Sequence, residues 1–278
     1  MYESYWQLKQ KPFDNGADPR FYYPGESHQA ALLKLRYAVE NHRGGALLAG
    51  ASGTGKTLVV GMIRQVLAEQ FSPQVHLVFP QMPCAELLAY LADELEGTAT
   101  APPTPGLPVP SLQATIHRIQ RLLAENTRQR RHAVVIVDEA HLLRDVETLE
   151  AMRLLLNFQS AGRPDLTLVL CGQPGILPTL QRTPQLDERL GVKCLLSPLS
   201  ETETARYVHH RLQVAGAKRE IIEPGAIPTL YALTHGIARQ INRLCDLSLL
   251  IGFAEERQTI TAAHFESVCQ ELVAVVPE

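Results

Sequence analysis

Long apolar runs are missing from this 278-residue chain: none approaches the roughly 18 residues that a membrane span needs. The start, Met1-Tyr2-Glu3-Ser4, lacks the basic-then-apolar order of a secretory signal peptide. Cysteine is sparse and poorly spaced for chemistry: Cys84, Cys171, Cys194, Cys245 and Cys269 are odd in number and form no C-x-x-C pair. That excludes a disulfide framework and a cysteine zinc site, and reads as buried thiols in a reducing cytoplasm. Nor is charge of one sign in excess. A formal net charge of −3 argues against a protein whose whole surface binds nucleic acid or anionic lipid, although a local basic patch fits within it. The expectation is a cytoplasmic globular protein with no membrane span. It is long enough to bury a large core in one big domain or two moderate ones.

What is present is organised around Gly50-Ala51-Ser52-Gly53-Thr54-Gly55-Lys56-Thr57. An apolar run, Ala46 to Ala49, precedes it, short enough for a buried strand. Leu58, Val59, Met62, Ile63, Val66 and Leu67 follow at helical spacing. Strand, glycine-rich turn and helix in that order make a phosphate-binding loop of the G-x-x-x-x-G-K-[ST] match. Backbone N–H groups of Gly50, Ser52, Gly53, Thr54 and Gly55 are expected to wrap phosphates at a helix N-terminus. Lys56 is expected to reach the β- and γ-phosphates of ATP, and the Thr57 hydroxyl to bind Mg²⁺.

Ahead of this loop, residues 1–25 carry prolines and aromatics without a period, and read as an ordered arm packed on the main domain. The arm reads either as one wall of an adenine pocket or as plain core packing. A helix is expected from Ser27 to Asn41, with Ala31, Leu35 and Ala38 inward. After the loop, Val75 to Phe79 reads as a strand and Cys84 to Leu95 as a helix. The proline-rich stretch Gly97 to Pro110 reads as an exposed loop within the domain. Ser111 caps a helix with Leu112, Ile116, Ile119 and Leu123 expected on its buried face. Arg118, Arg121, Arg128, Arg130 and Arg131 on this helix and its tail read either as a solvated face or as a contact to double-stranded DNA.

Ala133 to Val137 is a continuous apolar run, the pattern of a central parallel strand buried on both faces, and it ends in Asp138-Glu139. Carboxylates at the carboxyl edge of such a sheet stand where α/β proteins bind ligands. Asp138 is the expected Mg²⁺ carboxylate and Glu139 the group that polarises the attacking water. The next strand, Leu166 to Cys171, ends at Gln173, which reads as a γ-phosphate sensor or as a turn amide. Val192 to Leu196 is a fifth strand. Beyond Ser197-Pro198 only helices are expected, opened by a capping box at Ser200-Glu201-Thr202-Glu203. Arg239 falls in the first turn of a later helix, where a cation is unfavourable unless an anion lies outside that helix.

Taken together, these features resemble an AAA+ ATPase, most closely the family typified by general secretion pathway protein A, the ExeA-type ATPases. The likeness lies in Tyr5-Trp6-Gln7-Leu8, Lys11-Pro12-Phe13, Asp18-Pro19-Arg20-Phe21 and Glu26-Ser27-His28, and continues through the phosphate loop and Val137-Asp138-Glu139-Ala140. Gly172-Gln173-Pro174, Arg189, Arg211-Leu212 and Gly236-Ile237-Ala238-Arg239-Gln240-Ile241-Asn242 complete it. The resemblance implies an α/β P-loop parallel-sheet domain with the arm, residues 1–198, and a small all-helical lid, residues 199–278. It implies ATP and Mg²⁺ as ligands, with Lys56, Thr57, Asp138 and Glu139 catalytic, Gln173 the first sensor and Arg239 the second. It further implies a homo-oligomer, ring or filament, with a protein partner, in which Arg189, with Arg182 as fallback, reaches a neighbour's nucleotide. Secretion-type members often continue into a membrane span and a peptidoglycan-binding domain, whereas this sequence stops at Glu278. The same core resembles regulators that help transposases choose target DNA. Asp138-Glu139-Ala140-His141 also spells the box of a helicase class, but a Ser-Ala-Thr motif and a second strand-containing domain are missing.

Overall fold

The computed structural model describes residues 1–16, 18–97 and 111–274. Its chain divides into two compact units, one formed by residues 27–50 and 59–196, the other by residues 1–26, 51–58 and 197–278. The stretch 98–110, most of the expected proline-rich loop, lies outside the described residues.

The first unit holds a parallel sheet. In chain order it runs α1 (Glu26–Glu40), β1 (Gly45–Gly50), α2 (Lys56–Val66), β2 (Gln74–Leu77), α3 (Cys84–Glu96), α4 (Leu112–Arg128) and β3 (Ala133–Val137). It continues with α5 (Val146–Leu155), a small hairpin β4 (Gln159–Ser160) and β5 (Arg163–Pro164), β6 (Leu166–Gly172), α6 (Ile176–Arg182), α7 (Pro184–Asp187) and β7 (Leu190–Leu196). The five parallel strands lie in the order β2-β3-β6-β1-β7. The three inner strands, β1, β3 and β6, are buried at every residue, which explains their unbroken apolar sequences. The outer strands alternate: β7 exposes Gly191, Lys193 and Leu195 between buried Leu190, Cys194 and Leu196. Leu47, Val135, Val137, Leu168 and Leu170 share one core with Leu87, Leu91, Ile119, Leu123 and Met152 of the helices.

Two sequence expectations shift here. Strand β2 ends at Leu77, and Val78 and Phe79 are exposed beyond it. Helix α4 is capped by the Ser111 hydroxyl, which accepts from Ala114 N–H at 3.2 Å, but its buried face is Thr115, Ile119, Leu123 and Asn126. Leu112 and Ile116, expected inward, are exposed. The stripe turns because Asn126 is buried on the inner face, where its amide donates to Ser72 O at 2.8 Å.

The second unit is helical: α8 (Glu201–Val214), α9 (Ile227–Thr234), α10 (Ala238–Ala254) and α11 (Ala262–Ala274). The capping box at Ser200 is formed in both directions, with Glu203. The arm, read from the sequence as packed on the sheet domain, instead puts Tyr2, Trp6, Leu8, Phe13 and Phe21 into the core of these helices. Trp6 is fully buried and its indole N–H donates to Leu249 O at 2.9 Å. Arg211 of α8 is buried too. Its guanidinium donates to Pro12 O at 2.5 Å and Asp14 O at 2.6 Å, and lies 4.5 Å over the Phe21 ring. The aromatic arm thus adds large apolar side chains to the core of these four helices. Gly236 makes the joint before α10: at φ +70° its carbonyl accepts from Leu199 N–H at 2.9 Å, and a Cβ there would meet Leu199 O at 1.9 Å. Among the described residues no helix is long and apolar enough to cross a membrane.

Candidate functional site

The phosphate loop leaves the carboxyl end of β1 and enters α2 at Lys56. Gly53 and Gly55 have φ of +80° and +97°, conformations that side chains rarely adopt, so the loop can turn its N–H groups inward. Lys56 is buried and its ammonium donates to Ala51 O at 3.0 Å, folding the chain end back across the loop. The Thr54 hydroxyl donates to the same carbonyl at 2.9 Å. Thr57 stands exposed at the second position of α2. A glycine-rich loop at a helix N-terminus, a lysine closing it and a hydroxyl in the first turn are the donor set that a polyphosphate with Mg²⁺ requires.

The same unit brings Arg239 to this loop. Its backbone N–H donates to Gly53 O at 3.1 Å, and its guanidinium lies 3.4 Å from the Ser52 hydroxyl. This answers the oddity of a cation in the first turn of α10: the side chain is directed at a loop built to hold anions. A Cβ on Gly53 would meet Arg239 Cβ at 2.7 Å, so this middle glycine of the loop is fixed by packing as well as by its φ.

In the sheet unit, Asp138 and Glu139 follow β3 at the carboxyl edge, with β6 lying between β3 and β1. Asp138 is buried, its N–H donates to Leu77 O, and Glu139 N–H donates to its Oδ1 at 2.8 Å. Burial pushes the Asp138 carboxyl up, but the His76 ring, the Glu139 N–H and the Cys171 thiol more than offset it, and the group stays below the usual carboxylate range. An ionised, oriented carboxylate is what a hard cation needs, and Mg²⁺ typically takes only one or two from the protein. Glu139 itself adopts a left-handed backbone, φ +49°, a strained position for a non-glycine residue that turns its half-exposed carboxylate out of the strand.

Two histidines that the sequence reading passed over stand beside these acids. His76 of β2 lies 3.7 Å from Asp138, beyond hydrogen-bond length. His141 Nδ1 is 3.3 Å from the Glu139 carboxylate and accepts from the Gln173 N–H at 3.4 Å. Gln173 thus sits at the end of β6, its N–H on the His141 nitrogen that also stands beside the Glu139 carboxylate. The signal for His76 was its place in a strand pairing with β3, where it registers with Ile136. Arg189 lies elsewhere: it immediately precedes β7, whose Leu190 registers with Gly45, at the amino edge of the sheet. Arg182 ends α6, and both arginines are exposed. Of the five cysteines, four are buried and Cys269 is partly so, all as free thiols.

Comparison with known proteins fits this geometry. Residues 39–180 match the AAA domain family. General secretion pathway protein A of Aeromonas hydrophila is 33% identical over 281 residues, an alignment covering all of this chain and 50% of that protein. This chain therefore spans half the length of that relative. Among solved structures, Cdc6p of Pyrobaculum aerophilum superposes with a TM-score of 0.72 at 16% identity, covering 96% of this chain and 74% of that one. The Orc1 protein of Aeropyrum pernix, solved in complex with DNA, gives 0.67 at 17%, covering 96% and 69%.

Proposed function

The chain belongs to the AAA domain family, and from that premise we propose that it is an ATP-hydrolysing switch protein whose sites are completed by a neighbouring copy. Lys56 binds the β- and γ-phosphates, while Thr57 and Asp138 hold Mg²⁺. When bound, that ion neutralises charge on the transferred phosphoryl group. Glu139 orients the attacking water and accepts the proton it sheds, and Gln173 and Arg239 report the γ-phosphate to the β6 end and to α10.

The observation that carries the shared-site reading is the position of Arg189. β1 and β7 run parallel with Gly45 beside Leu190 and Gly50 beside Leu196, so Arg189 and the acidic edge lie at opposite ends of the sheet. Six residues of strand span roughly 20 Å, too far for Arg189 to serve the carboxyl edge of its own sheet. An exposed arginine there suits a neighbour. The experiment mixes two subunits: Arg189→Ala alone should hydrolyse poorly yet bind nucleotide, and adding Glu139→Gln subunits should restore part of the activity. Arginines supplied in trans contribute about 10³–10⁵ in rate in related phosphoryl-transfer enzymes, so a minority of intact interfaces is measurable. No recovery in the mixture would overturn the reading.

General secretion pathway protein A carries secretion in its name, and assembly of a secretion apparatus is the protein-partner role this reading favours. The second reading is an ATP-gated, DNA-binding scaffold of the transposition-regulator type. Its support is that Arg130 and Arg131 are exposed without a carboxylate partner among the described residues, whereas Arg118 pairs with Asp93 and Glu96 and Arg128 with Glu125. Double-stranded DNA binding only with ATP, weakening steeply with salt, would favour the scaffold.

A further inference from the structure

A cavity of about 520 Å³ opens in the sheet unit at the edge opposite Asp138 and Glu139. Its lining residues stand just ahead of four strands. His42 precedes β1, Phe71 precedes β2, His132 adjoins β3, and Arg163 belongs to the hairpin before β6. Arg130 and Arg131, from the turn after α4, complete it. β3 lies between His132 and Asp138, so roughly 20 Å of strand separates this cavity from the acidic edge. Among the described residues, none of its three arginines lies within ion-pair distance of a carboxylate. Arg131 donates to the Gln129 side-chain carbonyl. Arg131 acts electrostatically on Glu125, a carboxylate already held by Arg128 and Gln129, and Asp165 is buried and accepts from the Thr127 hydroxyl at 2.8 Å.

The polar floor of the cavity is ordered by two histidines whose Nδ1 atoms lie 2.8 Å apart. Only one proton fits between them. His132 also bonds the Thr167 hydroxyl through Nε2, at 2.8 Å, and it is fully enclosed. Burial first, and the neighbouring His42 second, hold His132 down to about 3, so it remains the neutral member. His42 is half-buried, and its own basicity is lowered first by burial and then by Arg163. Whenever His42 is charged it must donate from Nδ1 to His132, which then donates from Nε2 to Thr167.

The backbone of Arg130 supplies an independent observation. It follows the last turn of α4 with φ +60°, in the left-handed region where helices usually place glycine or asparagine. An arginine held there accepts strain that glycine would not. From this turn Arg130 and Arg131 line the same cavity as Arg163. The opposing wall is fixed by the tight β4–β5 hairpin, with Ala161 and Gly162 both at positive φ. Three guanidinium forks match a tetrahedral dianion with several acceptor oxygens better than a carboxylate, which occupies a single fork. The volume exceeds that of one such group and lies in the range of pockets that take small organic ligands.

We propose that this cavity, lined by Arg130, Arg131, Arg163 and His42, is a second anion site that binds a phosphate group, borne either by a nucleic-acid backbone or by a small phosphoester. The site does not depend on ATP hydrolysis or on the reading of Arg189.

The test uses the full chain saturated with ADP, so that the phosphate loop is already filled. Inorganic phosphate is titrated at constant ionic strength while the ring signals of His42 and His132 are followed by NMR. The expected result is a saturable shift of His42, with its titration moving to higher pH as phosphate offsets Arg163. Arg163→Ala and Arg130→Gly should each weaken phosphate binding by roughly tenfold or more, as for loss of one charge-assisted hydrogen bond. Arg130→Gly should also melt no lower than wild type, which separates lost binding from lost folding. A labelled duplex added in competition identifies the source. Displacement of phosphate by the duplex assigns the site to nucleic-acid backbone, and binding of phosphate without displacement assigns it to a small phosphoester. The proposal is overturned by the absence of a saturable His42 shift, by a shift that chloride reproduces at the same ionic strength, or by unchanged affinity in both variants.

Discussion

Replacing Gly53 by Ala tests whether the phosphate loop and the start of α10 are built against each other. The added methyl would lie 2.7 Å from Arg239 Cβ and 3.1 Å from Ile237 Cγ2, on a backbone with φ +80°. Neither neighbour is the free end of a flexible side chain. The left-handed backbone alone costs a non-glycine residue about 1–2 kcal/mol, and forcing a methyl into a packed contact adds about 1–3 kcal/mol. Moving α10 away to relieve the overlap would break the Arg239 N–H to Gly53 O bond at 3.1 Å, which is worth about 1 kcal/mol by itself. The change should therefore cost about 2–5 kcal/mol. Expressed in nucleotide binding, at tenfold per 1.4 kcal/mol, that is a loss of roughly 30-fold to several thousand-fold. Equilibrium titration with a fluorescent ATP analogue measures it, beside a melting curve that shows how much of the cost falls on folding. Ser52→Ala is the control, since it deletes only the long 3.4 Å contact to Arg239 and should leave affinity within about threefold. A Gly53→Ala protein with near-normal affinity and an unchanged melting curve would refute the packing argument.

Glu139→Gln should retain nucleotide binding and slow hydrolysis by roughly 10²-fold or more, whereas Lys56→Ala should weaken binding itself; equal small effects on both quantities would contradict the assigned roles. Trp6→Ala should destabilise the protein by about 3–5 kcal/mol, read as a lower urea midpoint, because a fully buried indole and its bond to Leu249 O are lost together. His132 binds its proton far less readily when folded, down to about 3, than the roughly 6.5 of an unfolded chain. Between those values the unfolded state therefore holds more protons, and stability falls as pH drops, by up to about 1.4 kcal/mol per unit. Urea midpoints at pH 5 and pH 7 should converge in His132→Gln, and an unchanged gap would rule His132 out as the source.

The parts of the molecule legible in the sequence are those whose chemistry and burial share one local pattern. β1, β3 and β6 are buried on both faces, so each appears as an unbroken apolar run, and the phosphate loop and Asp138-Glu139 announce themselves by following such runs. The Ser200 capping box is local in the same way. Residues 146–164 and 176–187 were not legible, because α5, α6, α7 and the β4–β5 hairpin are too short to show a period. The arm was legible as ordered but not as to its place. Its aromatics carry no record of which apolar surface they cover, and only the structure shows Arg211 reaching Pro12 O and Asp14 O across the chain. Contacts made by strand order are the least visible of all. His76 meets Asp138 because β2 pairs with β3, and His141 meets Gln173 because β6 lies on the other side of it.

The arginine-lined cavity takes that argument to its limit. His42, Phe71, His132 and Arg163 share no spacing, and nothing in the sequence around them suggests a site. They share a position instead, each standing shortly before a strand of one parallel sheet. A parallel sheet gathers every segment that enters it at one edge and every segment that leaves it at the other. Motif reading finds the leaving edge, because ligand-binding chemistry there is compact in sequence. The entering edge is assembled from four distant segments, so its chemistry becomes readable only when strand order is known. The five tail and helix arginines of the α4 segment show the consequence. As a sequence they form one basic run, whereas in the structure Arg118 and Arg128 are held by carboxylates and Arg130 and Arg131 line the cavity. Charge counted along the chain therefore merges arginines in different settings, and it misses the smaller site proposed for two of them with Arg163.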